Sequence, residues 1–390
     1  MNSGRKTITL TGATGFLGSH LMVTLLNRGY RVNIPGRPGS HKSLRERIAN
    51  LLNWFNVTHL ADGIAVFETD FEKPRLGLNS EDYKRLCADS SPVIHCASDT
   101  SFAERNRERV FKANVHNLEG ILELAQNSKA SYFHFISTAY ATGIVDDPVH
   151  ELPADAAAFT NVYEESKAVA EKEISRYCRK YAIPYTIIRP SIVYGDSSTG
   201  RSLKFNALYY PIKAVQYIRD IYINDIRNNG GIKSREYGMF MDEKGYLNLP
   251  INLYLPHKGS INLIPVDYFT NAAMSVIENP FPGKIYHLTS ETPSTMDTLL
   301  SYTGRFLRIK GMDISYLVPD KRMLRNPPEE LFDHFIEPYR PYLSDRRSFE
   351  RKNTDEVTGG IVPPELSYEI FERCMAYAVS VEWGRLFKEF

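Results

Sequence analysis

The stretch TGATGFLG, residues 11–18, decides the fold of this chain. It follows a short β-branched segment and precedes a segment with helical periodicity, Phe16–Arg28. Gly12 permits a tight turn, Gly15 lets the backbone approach a pyrophosphate, and Gly18 lets the helix pack on the strand. Because the amides and the positive dipole end of the helix face the same point, the stretch predicts a dinucleotide-binding turn.

Strand-like and helical segments alternate over the first 200 residues. This alternation predicts an α/β fold, a doubly wound parallel sheet of the Rossmann type with right-handed crossovers. The predicted strands are Lys6–Thr11, Tyr30–Pro35, Gly63–Glu68, Pro92–Cys96, Ser131–Ser137 and Pro184–Arg189. The predicted helices are Phe16–Arg28, Ser40–Phe55, Ser80–Ala88, Arg105–Asn127 and Asn161–Tyr181.

The pattern changes after Gly195, where one helical face extends over Arg201–Asn229. Two further strands, Ile261–Val266 and Ile285–Thr289, flank a helix, and a last helix begins at Leu366. We therefore expect residues 1–200 to form a nucleotide-binding domain to which residues 261–290 return. Residues 201–260 and 291–390 are expected to form a smaller, mainly helical substrate-binding cap.

Composition limits the classes of function. The 47 basic and 46 acidic residues balance to a net charge of +1, which argues against a nucleic-acid partner. The sequence contains no run of the about 18–20 apolar residues that a membrane-spanning helix needs, so we expect no integral membrane segment. The start Met1–Lys6 lacks the apolar region of a signal peptide. The 4 cysteines form no C-x-x-C pair and no zinc spacing, so we expect reduced thiols, no metal site and a cytoplasmic location.

The region after the second predicted strand is basic. Between Gly18 and Glu46 there is no acidic residue to accept a ribose 2′-hydroxyl, whereas Arg37 and Lys42 follow the strand. A guanidinium there can fork onto a 2′-phosphate, so the sequence favours NADPH over NADH. The alternative is a solvated basic surface without a ligand.

Tyr163 and Lys167 are four residues apart in a predicted helix and therefore share one face. A nearby ammonium lowers the pKa of a phenol, which makes Tyr163 a candidate general acid. Ser137 and Thr138 stand at the carboxyl end of a predicted strand, where a hydroxyl can stabilise an oxyanion. The alternatives are a solvated helix face and hydroxyls that bond only to the backbone.

These motifs together resemble the extended short-chain dehydrogenase/reductase superfamily over roughly residues 6–290. Besides residues 11–18 they include HCAS at 95–98, Asn114-Val115 and RPSIVYG at 189–195. Within the superfamily the chain looks most like the acyl-thioester reductases, which comprise fatty acyl-CoA reductases and the reductase domains of carboxylic acid reductases and of peptide or polyketide synthases. The stretches that carry this likeness are DFEKPRLGL at 70–78, IHCASDTSF at 94–102, STAYA at 137–141 and IPVD at 264–267.

The resemblance implies a role for each matching residue. Thr138 would polarise the substrate carbonyl, Tyr163 would donate the proton, and Lys167 would hold the nicotinamide ribose and tune Tyr163. Asp70 would lie near the adenine and Pro190-Ser191 near the nicotinamide. The expected cofactor-binding residues are Thr11, Gly12, Thr14, Gly15, Phe16, Leu17, Gly18, Arg37, Lys42, Asp70, Phe71, Cys96, Ala97, Ser98, Asn114, Ser137, Lys167, Arg189, Pro190, Ser191 and Val193.

The resemblance implies NADPH-dependent reduction of an acyl thioester, on CoA or a carrier protein, to an aldehyde. The rivals are an aldehyde or ketone reductase, a sugar-nucleotide epimerase or dehydratase, and a non-enzymatic dinucleotide sensor. The acyl chain, its carrier, a second reduction to the alcohol and the oligomeric state stay open. The aromatic helix Tyr209–Tyr222 fits a lid over an acyl chain, a docking face for an acidic carrier protein or a helix that packs in the cap.

Overall fold

The computed structural model describes residues 6–88, 91–145, 148–317 and 326–387; the start Met1–Arg5, on which the expectation of no signal peptide rests, lies outside them. The strands are β1 Thr7–Thr11, β2 Arg31–Gly36, β3 Ile64–Glu68, β4 Val93–His95, β5 Phe133–Ile136, β6 Tyr185–Pro190, β7 Ile192–Tyr194, β8 Phe240–Met241, β9 Leu247–Leu255, β10 Ser260–Ile261, β11 Leu263–Pro265, β12 Ile285–Leu288, β13 Ser294–Thr295 and β14 Ile309–Tyr316. The α-helices are α1 Phe16–Asn27, α2 Leu44–Trp54, α3 Ser80–Cys87, α4 Arg107–Phe111, α5 Leu118–Asn127, α6 Val162–Lys180, α7 Tyr209–Asn228, α8 Ile232–Glu236, α9 Val266–Glu278, α10 Met296–Leu307, α11 Pro327–Ile336, α12 Arg340–Leu343, α13 Lys352–Thr358 and α14 Tyr368–Ser380.

A seven-stranded sheet of order β12-β6-β5-β4-β1-β2-β3 forms the centre of the molecule. All of its neighbouring strands pair in parallel, which confirms the predicted α/β doubly wound fold. The strand order reverses between β1 and β4, so a crevice opens there at the carboxyl ends of the strands. The phosphate-binding turn and the end of β5 lie at this edge of the sheet.

The predictions of two long helices are wrong over part of their length. The predicted helix Arg105–Asn127 is interrupted by a π-helical turn, Lys112–His116, between α4 and α5. Arg201–Asn229 becomes helical only at Tyr209. The hydroxyl of Ser202 accepts from the amide of Lys204 and donates to its carbonyl, so a local turn competes with the helix there.

The buried apolar residues form separate clusters in the sheet domain and in the cap. One sheet cluster packs α1, α2 and α9 against the strands, and the other packs α5 and α6. The cap cluster joins α7, β9, α10, α11 and α14. Helix α13 packs on α9 and β12 of the sheet domain. The expected division into a nucleotide-binding domain and a cap stays a prediction.

A buried ion pair ties helix α6 to strand β6. The guanidinium of Arg189 is 0% exposed and donates to both carboxylate oxygens of Glu171, at 2.9 and 2.6 Å. Its other contacts are the carbonyl of Leu152 and the ring of His287, and Ser137 donates its hydroxyl to Glu171. The side chains of Ser137 and Arg189 are therefore used inside the core. Their expected role in cofactor binding stays a prediction, and the structure shows only that their polar side-chain atoms are paired within the protein.

We expect Glu171→Gln to lower the free energy of unfolding by about 3 kcal/mol, because it leaves a buried guanidinium without its counter-charge. Glu173→Gln is the matched control, since Glu173 pairs with Arg176 on the exposed side of the same helix and should cost less than about 1 kcal/mol. Urea unfolding of the two variants measures the difference. Equal losses would contradict the assignment of the buried pair as a structural tie.

Candidate active site

The turn between β1 and α1 is a backbone cradle. Gly12 has φ +75°, and a Cβ at this residue would lie 2.5 Å from the amide nitrogen of Ala97. A Cβ at Gly18 would lie 2.1 Å from the carbonyl oxygen of Gly12, so only glycine fits both positions. Helix α1 begins after Gly15 without a side-chain cap, which leaves the amides of its first turn available to an anion.

Thr11 and His95 hold the loop after β4 against this cradle. The Thr11 hydroxyl lies 2.8 Å from Nδ1 of His95 and accepts from the amide of Ala97 at 3.3 Å. Burial lowers the pKa of His95 to about 3, so its ring is neutral. Thr11 therefore positions the loop Cys96–Ser98 from within the core, and the backbone of this loop borders the phosphate turn.

Asn114 joins the loop after β4 to the helix that carries Tyr163. Its Oδ1 accepts from the amide of Asp99 at 2.7 Å and from the Ser98 hydroxyl at 3.1 Å. Its Nδ2 donates to the carbonyl of Asp99 and to the Ser166 hydroxyl, both at 2.9 Å. Asn114 lies in the π-helical turn Lys112–His116, and both polar atoms of its side chain bond to the protein, so it positions the loop and helix α6 relative to each other. Its expected contact with the cofactor stays a prediction.

Lys167 is buried beneath the candidate site, with 2% of its surface exposed. Its ammonium donates to the carbonyl of Ile136 at 2.7 Å and lies 4.1 Å from the centre of the Phe135 ring. Burial lowers the pKa of Lys167 to about 8. The bond anchors helix α6 to the carboxyl end of β5, two residues before Thr138, whose hydroxyl accepts from the amide of Tyr140 at 3.4 Å.

Tyr163 lies one helical turn before Lys167 and packs on Phe102, with 6.0 Å between the ring centres. Burial raises the pKa of Tyr163 above its usual range, and the neighbouring Cys96 and Glu164 raise it further. The lowering expected from the ammonium of Lys167 is therefore not found. The consequence is a neutral phenol at physiological pH, which can donate a proton to a developing oxyanion but is not a base.

The basic residues after β2 form one group that includes a residue missed in the sequence. Arg37 is exposed directly after the strand, and the guanidinium of Arg47 in α2 donates to its carbonyl at 3.2 Å. Burial lowers the pKa of Arg47, and the charge of Arg37 lowers it further, which places the two guanidinium groups close together. The sequence did not reveal this pair, because Arg37 and Arg47 are ten residues apart and come close only when the loop that contains Lys42 folds back.

Three buried hydroxyls directly after strands of the seven-stranded sheet have no hydrogen-bond partner among the described residues. They are Thr69 Oγ1 after β3, Ser191 Oγ after β6 and Thr289 Oγ1 after β12. Such orphan groups fit a missing polar ligand that spans the crevice, as a dinucleotide would. Asp70 follows Thr69, and its pKa is lowered by a hydrogen bond from the amide of Glu72 and by Lys73.

The cysteine in the site is not activated. Burial raises the pKa of Cys96 to about 11, although Lys167 and Lys204 oppose the shift, so the thiol stays protonated near neutral pH. Within the described ranges no cluster of His, Cys, Asp or Glu could hold a metal ion. Among the residues that the structure describes, no helix is both long and apolar enough to cross a bilayer.

The remaining expected ligands surround the cradle. Thr14, Phe16 and Leu17 are half-buried at the start of α1, and Phe71 is half-buried after Asp70. Pro190 ends β6 and Val193 lies in β7, next to the unpaired Ser191 hydroxyl. Thr138 stands two residues after Ile136, to which Lys167 is bonded, and Tyr163 stands one helical turn before Lys167.

Comparison with known proteins identifies the family. Residues 10–273 match the NAD-binding family described as male sterility protein, and the chain belongs to it. The nonribosomal peptide synthetase asaC of Aspergillus flavus is 25% identical over an aligned length of 375 residues, and the match covers 90% of this chain and 33% of the synthetase. Fatty acyl-CoA reductase 1 of Mus musculus is 31% identical over an aligned length of 226 residues, and the match covers 48% of this chain and 43% of the reductase. The chain thus spans less than half the length of either relative.

The fold is shared with a solved structure, the terminal R domain from the myxalamid PKS-NRPS biosynthetic pathway. That structure has a TM-score of 0.75 and 23% identity, and the match covers 98% of this chain and 92% of the other. This likeness shows a shared fold, and the family match makes the chain a member of an NAD-binding family.

The lowered pKa of Lys167 predicts a pH-dependent stability. The folded state releases the proton near pH 8, whereas the unfolded chain releases it near pH 10.4. The unfolded state therefore binds more protons across this window, and the contribution of Lys167 to stability rises with pH by about 3 kcal/mol. We expect the wild-type stability relative to that of Lys167→Met to increase accordingly between pH 7.5 and 10.5 in urea unfolding.

Lys172→Met is the matched control, because Lys172 lies on the exposed face of the same helix. Its stability relative to wild type should not vary by more than about 0.5 kcal/mol over the same window. A flat difference for Lys167→Met as well would contradict the buried, pKa-shifted ammonium.

Proposed function

We propose that this member of the male sterility protein family uses NADPH to reduce an acyl thioester, carried by CoA or by a carrier protein, to an aldehyde. The observation that carries the proposal is the placement of Thr138 and Tyr163 around the anchored end of β5, with the ammonium of Lys167 bonded to Ile136 beneath them. In the proposed mechanism both hydroxyls donate to the substrate carbonyl oxygen as it becomes an oxyanion.

The residues near the crevice match the parts of NADPH. The amides after Gly15 suit the pyrophosphate, and the unpaired hydroxyls of Thr69 and Ser191 suit polar groups toward its two ends. Arg37 and Arg47 suit the 2′-phosphate, since two guanidinium groups that repel each other gain a shared dianion. The bound cofactor supplies a hydride to the carbonyl carbon.

The protein's own residues stabilise the tetrahedral product of hydride addition before it breaks down. Thr138 and the neutral phenol of Tyr163 donate hydrogen bonds to the oxyanion of the tetrahedral hemithioacetal. When the C–S bond breaks, the carbonyl re-forms as the aldehyde, and the thiolate leaves and takes up a proton as free thiol. No cysteine nucleophile is needed, which agrees with the raised pKa of Cys96.

The same site also suits reduction of a free aldehyde or ketone, which is the second candidate function. A second hydride addition to the aldehyde would give the alcohol by the same donors. A sugar-nucleotide epimerase is less suited, because the basic group after β2 lacks the acid that accepts a ribose 2′-hydroxyl. Release of thiol separates thioester reduction from both alternatives.

Cofactor selectivity tests the basic group. We expect Arg37→Ala and Arg47→Ala each to raise the KM for NADPH by about 10- to 100-fold, because each removes a charge-assisted contact to the phosphate. Turnover with NADH should be nearly unchanged. Arg31→Ala is the control, since Arg31 begins β2 at the opposite edge of the sheet. Equal use of NADPH and NADH by the wild type would reject this choice of cofactor.

The catalytic assignment is tested by thiol release from octanoyl-CoA with NADPH. We expect Tyr163→Phe to lower kcat by about 10²- to 10⁴-fold, because the proton donor is lost, and Thr138→Val to lower it by about 10²-fold. Tyr177→Phe is the control on the same helix, since its hydroxyl bonds to Gln126 instead. Robust reduction of a free aldehyde without thiol release from any thioester would favour the second candidate.

A further inference from the structure

Glu164, directly after Tyr163, is a buried carboxylate at the start of α6. It is 0% exposed, although acidic side chains are almost never fully buried unless they are paired. Its Oε1 accepts from the Tyr342 hydroxyl at 2.6 Å, and its Oε2 accepts from the amide of Thr160 at 3.1 Å. The guanidinium of Arg347 lies 4.0 Å from Oε2. The proposed mechanism uses none of these polar groups.

Capping of the helix does not by itself account for this burial. In α2 and α11 a glutamate also stands three residues after the N-cap, and its carboxylate accepts from the backbone amide of the N-cap residue in a capping box. In α6 the acid at this position is Glu164, and it binds the amide one residue earlier and the distant Tyr342. A helix start can therefore be capped without a buried acid, so the burial of Glu164 serves its contact with Tyr342.

Tyr342 holds the first turn of α6 through a closed ring of hydrogen bonds. Its hydroxyl donates to Glu164 and accepts from Nδ2 of Asn161 at 2.6 Å, and Oδ1 of Asn161 accepts from the amide of Glu164 at 3.1 Å. Phe102 packs on Tyr342 and on Tyr163, with 5.6 and 6.0 Å between ring centres. Tyr342 therefore contacts both neighbours that restrain Tyr163, one beside its backbone and one on its ring.

The same segment contacts the turn that follows Thr138. Tyr140, two residues after Thr138, packs edge-on against Tyr342 with 5.2 Å between ring centres. The guanidinium of Arg347 lies 4.5 Å from the centre of the Tyr140 ring and donates to the carbonyl of Gly143 at 2.9 Å. One short stretch of the C-terminal region thus touches both elements that carry the candidate catalytic hydroxyls.

We propose that Tyr342 is a positioning residue, whose hydroxyl holds Tyr163 in place relative to Thr138 through Glu164. The inference rests on the proposed function in its use of Tyr163 as proton donor, and it goes beyond that function by giving the C-terminal segment a part in the reaction. The Tyr342 hydroxyl is occupied by Glu164 and Asn161, so it acts on the reaction through them. A misplacement of about 1 Å at a reacting group can lower the rate by about 100-fold.

Tyr342→Phe tests the proposal, because it keeps the ring and removes the bond to Glu164. We expect kcat for thiol release from octanoyl-CoA to fall by about 10- to 100-fold, while the KM for NADPH changes by less than about twofold, since the contacts proposed for the cofactor are untouched. Tyr368→Phe is the matched control. It also removes a tyrosine-to-glutamate bond, to Glu372 at 2.9 Å within α14, and should leave kcat unchanged.

A double-mutant cycle separates positioning from a general loosening of the protein. In the Tyr163→Phe background the hydroxyl that Tyr342 positions is absent, so we expect Tyr342→Phe to change kcat by less than about twofold there. The same loss of kcat in both backgrounds would show a structural role alone and overturn the proposal. An unchanged kcat in a folded Tyr342→Phe protein would overturn it as well.

Asn161→Ser reaches the same hydroxyl from its other side. Serine keeps a side-chain oxygen at the N-cap of α6 but lacks the Nδ2 donor that orients the Tyr342 hydroxyl toward Glu164. We expect kcat to fall by about three- to tenfold while the midpoint of urea unfolding stays near that of the wild type. Wild-type kcat in this variant contradicts the proposal even where Tyr342→Phe does not fold.

Reduction of octanal is measured in parallel, because thioester and aldehyde reduction both use Tyr163 as proton donor. A wild-type protein that reduces octanal without releasing thiol refutes thioester reduction, and the losses of kcat with octanal then decide the role of Tyr342. A wild-type protein that releases thiol while Tyr342→Phe retains full kcat leaves the proposed function in place and refutes only this inference. Reduction of neither substrate overturns both.

Discussion

The bond from the buried ammonium of Lys167 to the carbonyl of Ile136 is the interaction on which the geometry of the site depends. A charge in this environment is costly without a partner, so helix α6 cannot slide along the sheet without a large loss of stability. Thr138 stands two residues after Ile136, and Tyr163 stands one turn before Lys167. Both hydroxyls are therefore positioned relative to one buried bond, one from the strand and one from the helix.

A second buried charge secures the same helix one turn further on. Glu171 binds Arg189 of β6 and the Ser137 hydroxyl, so α6 is tied to both strands that border the catalytic hydroxyls. Asn114 adds a third tie through Ser166. The side chains of Glu171, Arg189 and Asn114 thus hold the scaffold, whereas the buried hydroxyl of Ser191 has no partner among the described residues.

Local pattern was sufficient to predict the seven strands of the parallel sheet, the glycine turn and the Tyr163–Lys167 face, because each depends on residues close together in sequence. It was insufficient for contacts between residues that are far apart in sequence. The three-stranded sheet β14-β9-β8 was not predicted, since β14 pairs with the distant β9. The bonds from Ser137 and Arg189 to Glu171 could not be predicted either, because the three residues meet only when α6 packs on the sheet. Arg47 was missed because a loop brings it back to Arg37.

Tyr342 links the cap to the catalytic helix. Its hydroxyl donates to Glu164 and accepts from Asn161, the residue that caps α6. Burial raises the pKa of Glu164, and Arg347 opposes this rise from 4.0 Å away, so the carboxyl is itself fixed between two residues of the C-terminal segment. The cap therefore holds the neighbour of Tyr163 in α6, whereas Lys167 and Glu171 hold the same helix to the sheet. Because α6 is tied on both sides, the position of Tyr163 is set by packing that is complete before any ligand binds, and a group that is already held in place loses little further entropy on binding.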